Sequence, residues 1–325
     1  MVTISIVVPC FNEEAVLPET AKRLLALIGR LRDADKVSAG SSVYFVDDGS
    51  TDRTWQLIEG LSRQYPSVGG IRLSRNRGHQ NALMAGLLLA PGDAVISVDA
   101  DLQDDLSSIE AMVDAHLGGR DIVYGVRKSR SVDTFFKRFP AQAYYRILQA
   151  MGVDVVFNHA DFRLMSRRAI DALKEFKEVN LFLRGIIPQL GFATDMVYYD
   201  RADRFAGESK YPLASMLALA VQGVTSFSAT PLRMITVTGL VVSLGTFIVT
   251  LWAVFVWLFT DRAVPGWTST VVPMYFLGGI QLLSLGVIGE YLAKIYMETK
   301  HRPKFIVESV LNPQAASLPV PTGVA

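Results

Sequence analysis

The residues best suited to chemistry are acidic and lie in short clusters. Asp99-Ala100-Asp101 sets two carboxylates at i and i+2, with Asp104 and Asp105 close behind. Like charges this near repel, so either one carboxylate holds a proton or a cation sits with them. Hard oxygen ligands suit Mg2+ or Mn2+, and Mg2+ takes one or two carboxylates and completes its shell with water and substrate phosphates. A solvated acidic turn opening a helix would use the same residue types. The surroundings favour the cation, because the pair follows a short apolar run. A second acidic turn, Asp47-Asp48-Gly49-Ser50-Thr51-Asp52, follows another such run, and Pro9-Cys10-Phe11-Asn12-Glu13-Glu14 ends a third.

These clusters need a scaffold that brings them together. Short apolar runs alternate with helix-length amphipathic stretches. Strands are predicted at Ile4–Pro9, Val43–Asp47, Ile71–Ser74, Ala94–Asp99 and Ile122–Val126. Helices are predicted at Glu14–Leu31, Asp52–Tyr65, Gln80–Ala90 and Asp105–Leu117, with Thr51 or Asp52 as a cap for the second. This alternation predicts an α/β domain with a mostly parallel sheet and helices on both faces. In such sheets ligands bind beyond the carboxyl ends of the strands, where the polar clusters fall. No G-x-G-x-x-G follows the first strand, so a dinucleotide site is not indicated.

Four stretches taken in order resemble the inverting GT-A glycosyltransferases of family two. They are Val8–Glu14, Val46–Asp52, Asn76-Arg77-Gly78-His79-Gln80-Asn81-Ala82 and Asp99-Ala100-Asp101-Leu102-Gln103. Asp161-Phe162-Arg163-Leu164-Met165 and Arg201-x-x-Arg204-x-x-Gly207-Glu208-Ser209-Lys210-Tyr211 are similar to the branch that glycosylates polyprenyl phosphates. The likeness spans roughly residues 3–300, with a departure at Asp105-Leu106, where relatives often have prolines. It implies a GT-A, Rossmann-like fold with Asp47 or Asp48 contacting a nucleoside and Pro9 and Glu13 lining the same pocket. It also implies that Asp99 and Asp101 hold Mg2+ or Mn2+ on a donor diphosphate, with Gln103 toward the sugar or acceptor. Asp161 matches the family's base or acceptor-orienting acid, and an ion pair with Arg163 or another arginine is the alternative. His79 has two readings, a donor contact or an ordinary polar residue opening a helix.

A lipid-phosphate acceptor, the substrate the branch implies, shapes what the site needs. A phosphate monoester has a second pKa of about 6 and is already a nucleophile at neutral pH. The site therefore needs cations to gather two anions more than it needs a strong base. Candidates are Arg127, Arg130, Lys137 and Arg138, then Arg201, Arg204 and Lys210. Arginine suits bidentate phosphate contact and lysine acts as a compact point charge. Membrane-side anchoring would use the same residues. Gly207–Lys210 reads as a polar loop able to close on ligands.

Composition locates a membrane. The 325 residues are 50% hydrophobic with a net charge of +1, and mean hydropathy is +0.29. A disordered chain would be more polar, and a phosphate-tracking nucleic-acid binder more basic, so no nucleic-acid partner is expected. The single cysteine, Cys10, excludes an internal disulfide framework. The apolar excess is concentrated in two uncharged runs, Ile235–Thr260 and Trp267–Gly289, each longer than the roughly 20 residues that cross a bilayer. Basic residues flank the pair, and only Asp261 and Arg262 are charged between the runs. The expectation is a multi-pass protein of the inner or plasma membrane, with its catalytic domain and both termini cytoplasmic. The expected plan is a catalytic domain over 1–211, interfacial helices over 212–231, two transmembrane helices over 232–290 and a tail over 291–325. Small residues in both spans, among them Gly239, Gly245, Gly278 and Gly279, make a homo-oligomer an expectation.

UDP-glucose is the first reading of the donor, with UDP-aminoarabinose derivatives and GDP-mannose left open. A processive polysaccharide synthase would carry Q-x-x-R-W, but the tryptophans are only Trp55, Trp252, Trp257 and Trp267, none of them in that motif. An inactive nucleotide-sugar-binding scaffold subunit is the rival from another class.

Overall fold

Apolar side chains, chiefly isoleucine, valine and phenylalanine, dominate β1 (Ile4–Cys10) and β2 (Ser42–Asp47), and every residue of both strands is buried. Such near-continuous apolar runs mark strands covered on both faces, as parallel sheets require. A computed structural model describes residues 1–128, 159–178, 181–200, 230–259 and 266–311. The described residues fall into two units, one of 1–128, 159–200 (apart from 179–180) and 301–311, the other of 230–259 and 266–300.

The first unit is built on one eight-stranded sheet. The remaining strands are β3 (Val68–Leu73), β4 (Ala94–Ser97), β5 (Ile122–Arg127), β6 (His159–Ser166), β7 (Thr194–Tyr199) and β8 (Val307–Leu311). Their spatial order is β7-β5-β6-β4-β1-β2-β3-β8, with β6 and β8 antiparallel to their neighbours. The Rossmann-like α/β architecture is therefore present as a mixed sheet. The helices are α1 (Leu17–Asp33), α2 (Thr54–Gln64), α3 (His79–Leu89), α4 (Ser108–Leu117), α5 (Arg167–Lys174) and α6 (Leu183–Gln189). Helix α1 buries Leu17, Ala21, Leu24, Ile28 and Leu31, a single stripe at helical spacing, against the sheet core.

The order contains a switch point. From β1 the chain moves to β2 and β3 on one side, then returns to place β4 on the other. Strands diverge there and leave a crevice at their carboxyl ends. Pro9 fits this place for a reason. The Val7 carbonyl accepts from Val98 N–H at 3.0 Å, so Pro9 would aim its absent N–H toward the same neighbour. The β1–β4 ladder has already ended at Val7↔Ser97, so no bond is lost.

Element boundaries differ from expectation by a few residues, and two of the shifts, at α4 and α2, have visible causes. Asp105 accepts Ser107 N–H at 2.9 Å and α4 begins only at Ser108, three residues late. Asp52 takes Thr54 N–H at 2.9 Å ahead of α2, while Thr51 N–H is used elsewhere, donating to Asn12.

The second unit holds α7 (Thr230–Phe259) and α8 (Trp267–Thr299). Leu240, Leu244, Leu282 and Leu283 are exposed on them. Among the described residues, one stretch, Phe276–Thr299, is long and apolar enough to cross a membrane, and Thr230–Val242 is a shorter apolar one. The expected interfacial helices of 212–231 lie almost entirely outside the described residues.

Candidate active site

The loops after β1 and β2 brace one another. Asn12 takes the left-handed backbone, φ 56°, which asparagine tolerates better than most residues. Its amide donates to Ser50 Oγ at 3.0 Å, and its Oδ1 accepts Thr51 N–H at 2.9 Å. Glu13 N–H donates to Thr54 Oγ1 and Glu14 N–H to Asp52 Oδ2. Much of the polar content of both motifs is thus spent in holding the two strand ends together.

Asp47 and Asp48 do different work. Asp48 grips the next loop, its Oδ1 accepting Arg77 N–H at 2.7 Å and its Oδ2 accepting Gly78 N–H at 2.8 Å. Gly49 makes that approach possible. Its φ is +69°, and a Cβ there would lie 2.6 Å from the Arg75 carbonyl carbon. Asp47 is fully buried, accepts Ser50 N–H at 3.2 Å and lies 3.6 Å from Arg72 Nε. Burial pushes both carboxyls up, against the pull of these N–H groups and, for Asp47, of Arg72. The adjacent pair, either of which was expected at the nucleoside, divides: Asp48 clamps a loop, and Asp47 is left as the buried carboxylate at the strand end. Pro9 is buried beside them at the switch point, and Glu13 is half-buried.

Asp99 and Asp101 stand at the end of β4. Asp101 Oδ1 accepts Gln103 N–H at 3.2 Å across Leu102, which is held at φ 57°. Burial, with added repulsion from Asp104, Asp161 and Asp101, pushes the Asp99 carboxyl up to about 6, although His79 pulls the other way. This is a surplus of negative charge. Two carboxylates at one strand end fit a divalent ion that draws its remaining ligands from water and phosphate. Among the described residues no group of three histidine, cysteine or acidic side chains forms a metal cage.

Asp161 lies on β6 with Arg163 at i+2, so both side chains stand on one face of the strand. The two pair at 2.5 Å. Arg184 of α6 adds a two-pronged contact, Nε to Oδ1 at 3.3 Å and Nη2 to Oδ2 at 3.2 Å. Gln80 Nε2 donates at 3.1 Å, and His79 Nε2 stands 3.5 Å away. Burial acts to raise this carboxyl, but His79, Arg184 and Arg163 win and hold it well below the usual range. The ion pair with Arg163 is present, and Arg184 adds a second. His79 opens α3 and bridges Asp161 and Asp99, 3.6 Å from the latter.

Arg127 has a different setting from the one expected. Its Nε donates to Tyr199 Oη at 3.3 Å and its Nη2 lies 3.8 Å from Asp104, so it is committed to a buried carboxylate. Arg130, Lys137, Arg138, Arg201, Arg204 and Lys210 lie outside the described residues. The motifs did not single out Arg184 or Tyr199, and Asp104 was noted only as a neighbour of the Asp99–Asp101 pair. A lone charge in the apolar run Leu181-Phe182-Leu183-Arg184-Gly185 is the one signal that could have flagged Arg184.

Residues 5–174 match Glycosyl transferase family 2. Over 318 residues, 97% of this chain and 94% of that protein, the chain is 45% identical to "Uncharacterized glycosyltransferase YkoT" of Bacillus subtilis (strain 168). It is 39% identical to "Prophage bactoprenol glucosyl transferase homolog" of Escherichia coli (strain K12), covering 94% of this chain and 99% of that protein. It is also 39% identical to "Bactoprenol glucosyl transferase" of Shigella phage SfV, covering 94% and 98%.

Proposed function

The chain belongs to glycosyl transferase family 2, and on that premise we propose that it transfers glucose, with inversion, from UDP-glucose to a polyprenyl phosphate at a membrane surface. Relatives named as bactoprenol glucosyl transferases, similar over nearly the whole length, support the sugar and the acceptor class. The single observation that carries the chemistry is the binding of Asp161 by two guanidinium groups. A site whose buried carboxylate is neutralised in this way suits an acceptor that arrives already ionised. An oxygen of the lipid phosphate attacks the anomeric carbon from the face opposite the diphosphate. The bond from that carbon to the diphosphate oxygen breaks, and its electron pair leaves with the nucleotide.

Asp47, with Pro9 and Glu13 beside it, is the proposed nucleoside contact, since a carboxylate accepts hydrogen bonds from ribose hydroxyls or a base imide. Asp99 and Asp101 are the proposed holders of Mg2+ or Mn2+, which when bound offsets charge on the departing nucleoside diphosphate. Gln103 is proposed on the sugar or acceptor side. Arg201, Arg204 and Lys210, with Arg130 and Arg138, are the proposed acceptor and diphosphate cations. Two membrane-crossing helices with both flanks cytoplasmic complete the proposal, supported by the outward-facing leucines of α7 and α8. Association into a homo-oligomer through the small residues of these helices belongs to the same reading.

The test is transfer of label from radioactive nucleotide sugars to undecaprenyl phosphate in membranes carrying the protein. UDP-glucose is expected to give labelled lipid. Label from GDP-mannose or UDP-aminoarabinose instead would replace the donor, and donor binding without transfer would support the scaffold reading. Asp101→Ala is expected to lower transfer about a hundredfold or more, as for loss of one transition-state charge partner. Arg204→Ala should raise the KM for the lipid more than that for the donor; the reverse order would move Arg204 to the donor side.

A further inference from the structure

The turn that presents Asp99 and Asp101 is not self-supporting. It contains a β-carbon residue, Leu102, in the left-handed region at φ 57°, a conformation that neighbouring structure has to impose. Thr20 of α1 donates to the Ala100 carbonyl at 2.9 Å and fixes one end. The other end is fixed by Asp104, which is buried beneath the turn and accepts the Tyr199 hydroxyl at 2.5 Å. Tyr199 is the last residue of β7, 1% exposed, with its ring edge-on to Phe162 at 5.3 Å between centroids. Arg127, the last residue of β5, reaches both partners, donating to the Tyr199 oxygen at 3.3 Å and lying 3.8 Å from Asp104. Two strand ends and the acidic turn therefore meet at one phenol oxygen.

We propose that Tyr199 is a positioning residue for the metal-holding turn, setting Asp99 and Asp101 through its hydrogen bond to Asp104, with Arg127 as the brace. The proposal rests on the reading of Asp99 and Asp101 as the metal carboxylates. The reasoning is geometric. Only Leu102 and Gln103 separate Asp101 from Asp104, and Leu102 is strained, so loss of the Asp104 anchor allows the turn to relax toward ordinary backbone angles and spreads the carboxylate pair. Preorganisation of a metal site depends on such outer contacts, whose loss commonly costs 10–100-fold in metal affinity. Tyr199 also ends the strand that leads directly into the basic stretch Arg201–Lys210, so the turn and the start of that stretch share one anchor in sequence.

The test uses the full-length protein in detergent with Mn2+ and UDP, and reads Mn2+ binding by electron paramagnetic resonance. Tyr199→Phe keeps the ring against Phe162 and removes only the hydroxyl. It is expected to raise the Mn2+ dissociation constant about tenfold, with the UDP-glucose KM at saturating Mn2+ changed less than twofold. Asp104→Asn should give a similar loss, and the double variant should be no worse than the more affected single one, as for two partners in one contact. A lower melting temperature with unchanged Mn2+ affinity would make Tyr199 merely structural and overturn the proposal. If the unaltered protein binds no Mn2+ in the presence of UDP, the metal reading falls as well, whereas normal Mn2+ binding by both proteins removes the positioning role alone.

Discussion

Asp161 is the clearest case of a side chain whose job depends on its partners. It meets Arg163 at 2.5 Å, Nε and Nη2 of Arg184 within 3.3 Å and Gln80 at 3.1 Å. Arg163 is wholly buried, and a charge in that position without its counterion is expensive. Asp161→Ala is therefore expected to destabilise the domain by about 3–5 kcal/mol, read by chemical denaturation. A loss under about 1 kcal/mol would argue against the anchor role. The pH dependence has a definite sign. The folded carboxyl titrates well below the unfolded value of about 3.9. Its contribution is complete above that value and disappears as pH falls through the lower, folded one. Acid unfolding of the unaltered protein should thus begin below pH 4 as far as this group is concerned. The sequence motif placed Asp161 near the chemistry, and its i+2 spacing allowed the pair with Arg163. Arg184, 21 residues after Arg163 and on another element, was beyond the reach of spacing.

At the scale of elements, β6 shows why the fold was only partly legible. Its residues, His159-Ala160-Asp161-Phe162-Arg163-Leu164-Met165-Ser166, alternate charged and apolar, so no continuous apolar run announces a central strand. Phe162 and Leu164 join the core, while Asp161 and Arg163 neutralise each other on the other face. That pairing lets an antiparallel strand lie between β4 and β5, where sequence reading placed none. The observed β3 starts earlier than its apolar run predicts for a related reason. Gly69 is a poor strand former, yet a Cβ there would lie 2.3 Å from the Tyr44 ring, so packing selects glycine. The junction from β6 into α5 is a helix cap. Ser166 Oγ accepts Ala169 N–H at 3.3 Å and donates to Asp121 Oδ1 at 2.8 Å, while Arg168 grips the same carboxylate. Ser166→Ala is expected to cost about 0.5–2 kcal/mol in thermal or denaturant unfolding, with α5 fraying first in hydrogen exchange. Uniform exchange across α5 and its neighbours would show that the cap is not limiting.

Across the whole chain, the segment after the long helices returns to the sheet. Ser74 N–H donates to the Ile306 carbonyl at 2.9 Å, and β8 pairs with β3 along that edge. This brings Glu308 within 3.5 Å of Arg72 Nε, which lies 3.6 Å from Asp47. Arg72 also sits over the Trp55 ring at 5.6 Å. A residue near the C-terminus thereby bears on the proposed nucleoside carboxylate through one guanidinium. Glu308 is half exposed, so the effect is small: Glu308→Ala should raise the donor KM about twofold to fivefold, equivalent to ~0.5–1 kcal/mol, with kcat nearly unchanged. An unchanged KM would confine β8 to closing the sheet edge. Covering that edge has value of its own, because an open β3 is a template for unwanted pairing.

Residue types and periods in the sequence determined the chemistry available to this protein. Two uncharged runs, a parallel-sheet rhythm and carboxylates at three strand ends follow from local order, because burial on both faces demands apolar runs and loops collect at strand ends. Tertiary structure decided which of those carboxylates are free to act. Asp47 and Asp48 are neighbours in sequence, but one is left as the buried carboxylate at the end of β2 and the other is used to clamp the 77–78 loop. Arg127 was a candidate for substrate phosphate and is committed to Asp104. A charged side chain is assigned by whichever opposite charge or N–H group the fold brings within about 3–4 Å, and for Asp48 and Asp104 those partners lie 23 to 95 residues away in sequence.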